Sequence, residues 1–355
     1  MKGIILHGGS GTRLRPLTYT DAKQLLPIAG KPISEYALDN LIEVGIRDVN
    51  IVVGSTGDEE VRKYYGNGER WGVNITYTYQ DKPFGIAHAV GLTREFVGND
   101  SFVVFLGDNF LQDGITALYS NYVSHNYEGM IALVHVRNPA QFGIAEVEAD
   151  RIIRLVEKPK QPKSDLAIAG VYFLTPKVFE SIDRLKPSGR GEYEITEAYQ
   201  DMVDRKMRIG YSIISGWFKD TGTVDDFLDC NRLVLDRIGS NSPDTAGVKN
   251  VSGRVLIGRD AYISDDSRVL GPCFIGPGTR IENSYIGPFT SIGSNCSLKD
   301  AEIEDSIVMD GSEIILSKNF SLRQCLIGAN VRIKANGSTL RTMKLVLGRD
   351  SRLEI

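Results

Sequence analysis

From Ile257 onward the aliphatic residues recur every six positions, at Ile257, Ile263, Val269, Ile275 and Ile281, and the series continues through Ile286, Ile292, Leu298 and Ile303. Six is not a helical period. A glycine often follows the aliphatic residue, as in Ile257-Gly258, Ile275-Gly276, Ile286-Gly287 and Ile292-Gly293. This is the pattern of hexapeptide repeats, whose short strands stack into a parallel β-helix with one aliphatic residue buried per side of each rung. A sandwich of short strands would not hold a spacing of six through five consecutive positions. Leu322, Ile327 and Ile333 continue the series less regularly, so the chain end is expected to act as a cap.

The preceding part has another rhythm. Up to about Ser240, short apolar runs alternate with helical patterns, which predicts a Rossmann-like, mostly parallel mixed sheet with helices on both faces. Gly3 to Leu6 reads as the first strand and Asn50 to Val53 as the second. Between them a helix is expected over Ser34 to Val44, with Ser34 as N-cap, an Ile33/Leu38 staple and Gly45 as the stop. Val73, Ile75, Tyr77 and Tyr79 alternate like a half-buried strand. Phe102 to Leu106 is apolar on both faces and belongs mid-sheet. At 355 residues, two domains are expected, 1–240 and 241–355, joined by the polar linker Gly239-Ser240-Asn241-Ser242-Pro243-Asp244.

A formal charge of −4 argues against a general nucleic-acid or anionic-membrane binder, but leaves room for a local basic pocket. Cys230, Cys273, Cys296 and Cys325 are widely spaced and form no C-x-x-C pair, so they read as reduced and not as a zinc site. Ile4-Ile5-Leu6 is too short for a signal peptide, and no uncharged apolar run could cross a bilayer. A cytoplasmic protein is expected.

The first strand runs directly into Gly8-Gly9-Ser10-Gly11-Thr12-Arg13. A glycine-rich turn at the carboxyl end of a strand lies where open α/β sheets place ligands, and its N–H groups can approach a phosphate closely. Leu14 stands where a dinucleotide fingerprint needs glycine, and no Gly-Lys-Ser/Thr closes a Walker loop. Arg13 and Lys23 flank the turn as cations suited to charge building on a departing pyrophosphate. Asp108, in Leu106-Gly107-Asp108-Asn109, follows the buried strand, and Asp220 follows Trp217-Phe218-Lys219. Two carboxylates together with phosphate oxygens and water suit Mg²⁺, although each Asp alone would be a turn residue. Gln80 ends a strand with an amide able to pair with a base edge. Glu157-Lys158-Pro159 and Arg190-Gly191-Glu192 place further charges in loops, where the default is a solvated surface. His7 reads as a packed structural residue, and neither it nor His88 is read as catalytic.

Together, His7 to Leu14, Lys23-Gln24-Leu25-Leu26-Pro27, Leu106 to Asn109, Glu157-Lys158-Pro159 and Trp217 to Gly222 resemble the sugar-1-phosphate nucleotidylyltransferases. The likeness is greatest to the glucose-1-phosphate thymidylyltransferase branch with a left-handed β-helical tail, and it covers nearly the whole chain. Lys-Gln-Leu-Leu-Pro is similar to the thymidylyl and uridylyl members, whereas His7 stands where the family usually has Ala. The resemblance implies that Gly8, Gly9, Gly11, Thr12 and Arg13 hold the triphosphate, that Lys23 contributes to the phosphates and that Asp108 and Asp220 hold Mg²⁺. It also implies that Gln80 and Gly85 read the base, with Gln24 near the nucleotide sugar. Asn109, Gly143, Glu157 and Val171 would form the sugar pocket, and Lys158 and Arg190 would be the cations on the sugar phosphate. The partners so implied are a nucleoside triphosphate and a sugar 1-phosphate, with a homotrimer through the tail.

The rival readings are UDP-sugar or GDP-mannose synthesis, an acyltransferase in the tail, and a catalytically inactive scaffold. Repeat-type acyltransferases generally use a histidine base, and no histidine lies beyond His135. An inactive relative would be expected to lack at least one of Arg13, Lys23, Asp108 and Asp220, all of which are present.

Overall fold

The computed structural model describes residues 1–9, 11–149, 151–238, 250–317, 319–337 and 341–355. Ser10 and the expected linker at 239–244 lie outside the described residues. By contacts the chain forms two units, Met1–Ser10 with Ile33–Asp220 and Gly11–Pro32 with Thr221–Ile355.

In the first unit the strand Lys2–Leu6 lies between Asp48–Val53 and Phe102–Leu106, parallel to both. Asn74–Tyr79 adds a parallel edge strand with Ile75 buried and Asn74 and Thr76 exposed, but the expected alternation fades along it: Tyr79, on the same side as Ile75, is exposed at the strand's end. Phe102 to Phe105 are completely buried, as a run that is apolar on both faces requires of a central strand. Beyond it the sheet turns antiparallel through Leu166–Leu174, which pairs with Phe102–Leu106, Gly129–His135 and Gly143–Glu148.

The helix Ile33–Glu43 buries Ile33, Ala37, Leu38 and Leu41, one stripe at helical spacing. It stops at Gly45, whose N–H donates to Ile42 O at 2.9 Å while that of Ile46 donates to Leu41 O at 3.0 Å. Ser34 is not the N-cap that the sequence suggests. It is the second helical residue, fully buried, with its Oγ 2.7 Å from the Tyr65 hydroxyl. A tertiary partner has claimed the side chain that a cap would use.

The second unit contains three six-stranded parallel sheets, the arrangement of a left-handed β-helix. One inward column runs Val251, Val269, Ile286, Ile303, Leu322 and Met343. The other two run Ile257 to Leu347 and Ile263 to Leu353 in the same register. Steps along the first column are 18, 17, 17, 19 and 21 residues, so the corners absorb every irregularity in length. The outward face of the middle sheet is also largely apolar, carrying Phe274, Ile307 and Leu326. The helix Val224–Asp236 lies against it, begun by a reciprocal Thr223/Asp226 capping box. Asn231, fully buried in this contact, accepts from Ala29 N–H at 2.9 Å and Ser291 Oγ at 2.7 Å, and donates to Phe289 O at 3.1 Å. Among the described residues, the last turn, Arg341–Met343, Val346–Leu347 and Arg352–Glu354, pairs with the turn before it alone. The four cysteines are buried and form no disulfide, and among the described residues no helix is long and apolar enough to cross a membrane.

Candidate active site

The strands Lys2–Leu6 and Phe102–Leu106 end in register at Leu6 and Leu106, with Gly107 N–H donating to Leu6 O at 3.0 Å. The segments that follow, Gly8-Gly9 and Gly107-Asp108, therefore leave the sheet at the same edge. A cavity of about 350 Å³ opens there, lined by Gly8, Gly9, Gln80, Gly85 and Asp108, and also by Gly143, Glu157, Lys158, Arg190 and Asp220. Ten of the residues singled out in the sequence, drawn from seven separate stretches of chain, meet in one concave site.

The two carboxylates arrive by different routes. Asp108 follows the buried central strand, and Asp220 ends the short strand Phe218–Asp220, which pairs antiparallel with Asn109–Leu111. The register sets Asp220 opposite Asn109, immediately after Asp108. Two carboxylates lining one cavity, Asp220 on a strand and Asp108 just before the strand it pairs with, supply hard oxygen donors with room for phosphate oxygens, which suits a divalent cation. Among the described residues no third His, Cys, Asp or Glu completes an all-protein metal cage.

Gly85 is demanded by its geometry. Its φ is +100°, and a Cβ there would lie 2.5 Å from Tyr193 O, a backbone atom that cannot swing away. Gln80 is buried beside it, with Nε2 3.3 Å from Gly85 O and 2.9 Å from His88 Nδ1. On the opposite wall, Thr196 Oγ1 donates to Glu157 Oε2 at 2.6 Å, and Gly143 has no space for a side chain between these two oxygens.

The cations differ in their surroundings. Arg190 donates to Glu194 at 2.8 Å and to Glu157 at 3.1 Å, and lies 3.5 Å from Glu192. Burial works against its charge, but the hydrogen bond and charge of Glu194, followed by Glu192 and Glu157, hold its pKa above the ordinary arginine value. Lys158 makes no ion pair among the described residues. Its backbone is held at φ +41° and its N–H donates to Phe142 O at 3.0 Å. The cavity therefore holds one cation neutralised by glutamates and one available to an anion.

Two expected sugar-pocket residues are placed differently from the rest. The Val171 side chain is fully buried in the sheet, and the next residue in the strand, Tyr172, faces the cavity together with Ile168. Strand alternation sends adjacent side chains to opposite faces, so Val171 cannot line the site with its side chain. Asn109 is 4% exposed and does not line the cavity; its Nδ2 is 3.5 Å from Ala169 O. Its place is in the wall behind Asp108.

Gly11, Thr12, Arg13, Lys23 and Gln24 belong to the second unit. Gly11 has φ +57°, and Thr18 Oγ1 donates to its carbonyl at 2.7 Å. Arg13 follows in the short helical turn Thr12–Leu14, its guanidinium so near Gly222 that a Cβ there would fall 2.7 Å from Nη2. Lys23 and Gln24 are buried in the turn Lys23–Leu25, and Asp21, just before it, is paired with Arg349 of the last β-helical turn at 2.9 Å.

Residues that sequence reasoning missed are supports: Thr196 and Glu194, which orient Glu157 and Arg190, and His88, which holds Gln80. The alternation Glu192-Tyr193-Glu194-Ile195-Thr196 two residues after Arg190 was the available signal for the first pair.

His7 is packed, as expected, in a T-shaped contact with Tyr65, and neither ring nitrogen has a partner among the described residues. Burial pushes its pKa from 6.5 down to about 3, partly opposed by the charge of Asp108. In the folded protein the ring stays neutral while the unfolded chain takes up a proton below pH 6.5, so stability falls with pH down to about 3. The slope is about 1.4 kcal/mol per pH unit. Urea titrations of metal-free protein at pH 7 and pH 5 should show a loss of about 2 kcal/mol that His7→Ala lacks. Equal losses in the two proteins would remove His7 as the cause.

A family model described as "Nucleotidyl transferase" matches residues 2–237. A glucose-1-phosphate thymidylyltransferase of Streptomyces antibioticus is 43% identical over 100% of this chain and 99% of its own. The low-salt glycan biosynthesis nucleotidyltransferase Agl11 of Haloferax volcanii is 40% identical over 100% of both chains. A Bacillus anthracis protein described as a glucose-1-phosphate thymidylyltransferase, solved in complex with a sucrose, superposes with a TM-score of 0.63 at 40% identity, covering 68% of this chain and 98% of that one.

Proposed function

Because this chain belongs to the nucleotidyl transferase family, and is a nucleotidyltransferase, we propose that it transfers a thymidylyl group from dTTP to glucose 1-phosphate, giving dTDP-glucose and pyrophosphate. The observation that carries this reading is the single cavity holding Gln80 and Gly85 on one side, Glu157 and Lys158 on the other, and Asp108 and Asp220 with them. A base reader, a polyol acceptor with a cation for its phosphate, and carboxylates for a metal are the parts that joining a nucleotide to a sugar phosphate needs.

An oxygen of the sugar 1-phosphate attacks the α-phosphorus in line, a new P–O bond forms, and the bond to pyrophosphate breaks. No general base is required, since the phosphate is already ionised at neutral pH. The obstacle is repulsion between two anions, so positioning and charge neutralisation carry the catalysis. The N–H groups of Gly8, Gly9 and Gly11, with Thr12, cradle the triphosphate, and Arg13 and Lys23 offset charge on the leaving group. Gln24 lies by the nucleotide sugar. Gly143 and the Thr196-oriented carboxylate of Glu157 receive sugar hydroxyls, with Asn109 and Val171 as wall. Lys158, which makes no ion pair among the described residues, takes the sugar phosphate, while Arg190 orients the glutamates around it. Asp108 and Asp220 would hold Mg²⁺, which when bound supplies positive charge to the phosphates.

Pyrophosphate release with dTTP, UTP, CTP, ATP and GTP against several sugar 1-phosphates tests the reading. The pair dTTP and glucose 1-phosphate should be the fastest. Preference for GTP with mannose 1-phosphate, or for UTP, overturns it in favour of a relative, and no release with any pair points to a scaffold.

Residues 1–240 would carry the transfer and 241–355 the assembly, as a homotrimer in the cytoplasm. Arg280, Glu313 and Arg332 on one outer face of the β-helix, and Arg268, Tyr285 and Glu302 on another, offer the charge pairs and the ring for such contacts. Light scattering at micromolar concentration should give three times the chain mass, and a monomer mass rules the trimer out.

A further inference from the structure

Gln80 can read a base only if its amide is held one way round, because a freely turning amide offers donor and acceptor alike. Its Nε2 lies 3.3 Å from Gly85 O, a backbone carbonyl that can only accept, so this end of the amide must be the nitrogen. The same nitrogen is 2.9 Å from His88 Nδ1. The amide N–H groups are thus directed to two acceptors, and His88 must be the neutral tautomer with its proton on Nε2. Its ring is fixed in turn, with Phe84 edge-on at 5.4 Å between centroids and Tyr193 stacked at 6.2 Å. The remaining end, Oε1, is directed to the glycine turn, 3.6 Å from where a Gly8 Cβ would stand.

We propose that His88 is a specificity-determining positioning residue: by accepting from Gln80 it presents the Gln80 carbonyl to the cavity, and so selects bases with a ring N–H over bases with a ring nitrogen lone pair. Thymine and uracil carry N3–H, which the carbonyl accepts. Cytosine has a lone pair at N3 and meets oxygen with nitrogen, leaving buried polar atoms unpaired, the strongest form of discrimination available to a hydrogen-bonding site. The proposal rests on Gln80 as base reader, and adds what fixes the direction of its amide.

dUTP and dCTP differ only at this edge, so the test compares their kcat/KM ratio in the wild type with that in His88→Leu, His88→Asn and Gln80→Leu. His88→Leu removes the acceptor and should lower the dUTP/dCTP ratio at least tenfold, through a raised KM for dUTP, while the KM for sugar phosphate is unchanged. His88→Asn, whose amide oxygen can stand where Nδ1 stands, should recover most of the ratio. A purely structural role would lower kcat for both nucleotides alike and spare the ratio. An unchanged ratio in folded His88→Leu, with Gln80→Leu collapsing it, overturns the role of His88 alone. An unchanged ratio in both overturns base reading by Gln80 and the proposal with it.

Discussion

Asp108→Asn lowers turnover by at least ~10²-fold, the scale of losing one group that stabilises developing charge. The substitution is nearly isosteric, and Asp108 follows a strand whose residues Phe102 to Phe105 are completely buried, so the cavity keeps its shape and only a negative charge disappears. Of the two carboxylates proposed for the metal, Asp220 alone would then remain. Steady-state pyrophosphate release measures the effect, thermal unfolding verifies the fold, and excess Mg²⁺ should restore only part of the rate. Near-normal turnover in a folded variant would remove Asp108 from the mechanism.

Arg13→Ala gives a loss of the same order, at least ~10²-fold, for a complementary reason. Negative charge grows on the departing pyrophosphate, and a guanidinium meets it with parallel N–H donors, which a lysine cannot reproduce. Arg13→Lys should therefore fall between the wild type and Arg13→Ala. Because Arg13 is exposed and packs on the Gly222 backbone, its truncation should leave the melting temperature close to that of the wild type. Unaltered turnover in Arg13→Ala would leave the glycine turn without its proposed cation.

The parts of this molecule that were legible in the sequence are those fixed by local periodicity. Strand Phe102–Leu106 announced itself by being apolar on both faces, and the β-helix by its step of six. Tertiary competition was not legible. Ser34 looks like a cap until Tyr65 takes its hydroxyl, and Val171 looks like a pocket residue until the pleat of its strand turns it away. Nor could the sequence reveal that Arg190 is encircled by glutamates, since Glu157 is far from it along the chain. Gly8, Gln80, Asp108 and Lys158 were recognisable as candidates because each stands just past the end of a strand. Of their supports, Thr196 is hinted at only by the alternation that follows Arg190 and His88 by nothing, because a side chain that only orients another is defined by proximity in space.

The last β-helical turn has a further implication. A barrel closes on itself and stops, whereas a coil of stacked triangles has no closure condition. Among the described residues its last strands pair on one side, and Met343, Leu347 and Leu353 there are only partly covered. Such an edge is a template onto which another chain could grow. The strands that form it are only two or three residues long and carry Arg341, Arg352 and Glu354 exposed at their ends. Charge and brevity are the two features of these strands that oppose strand addition.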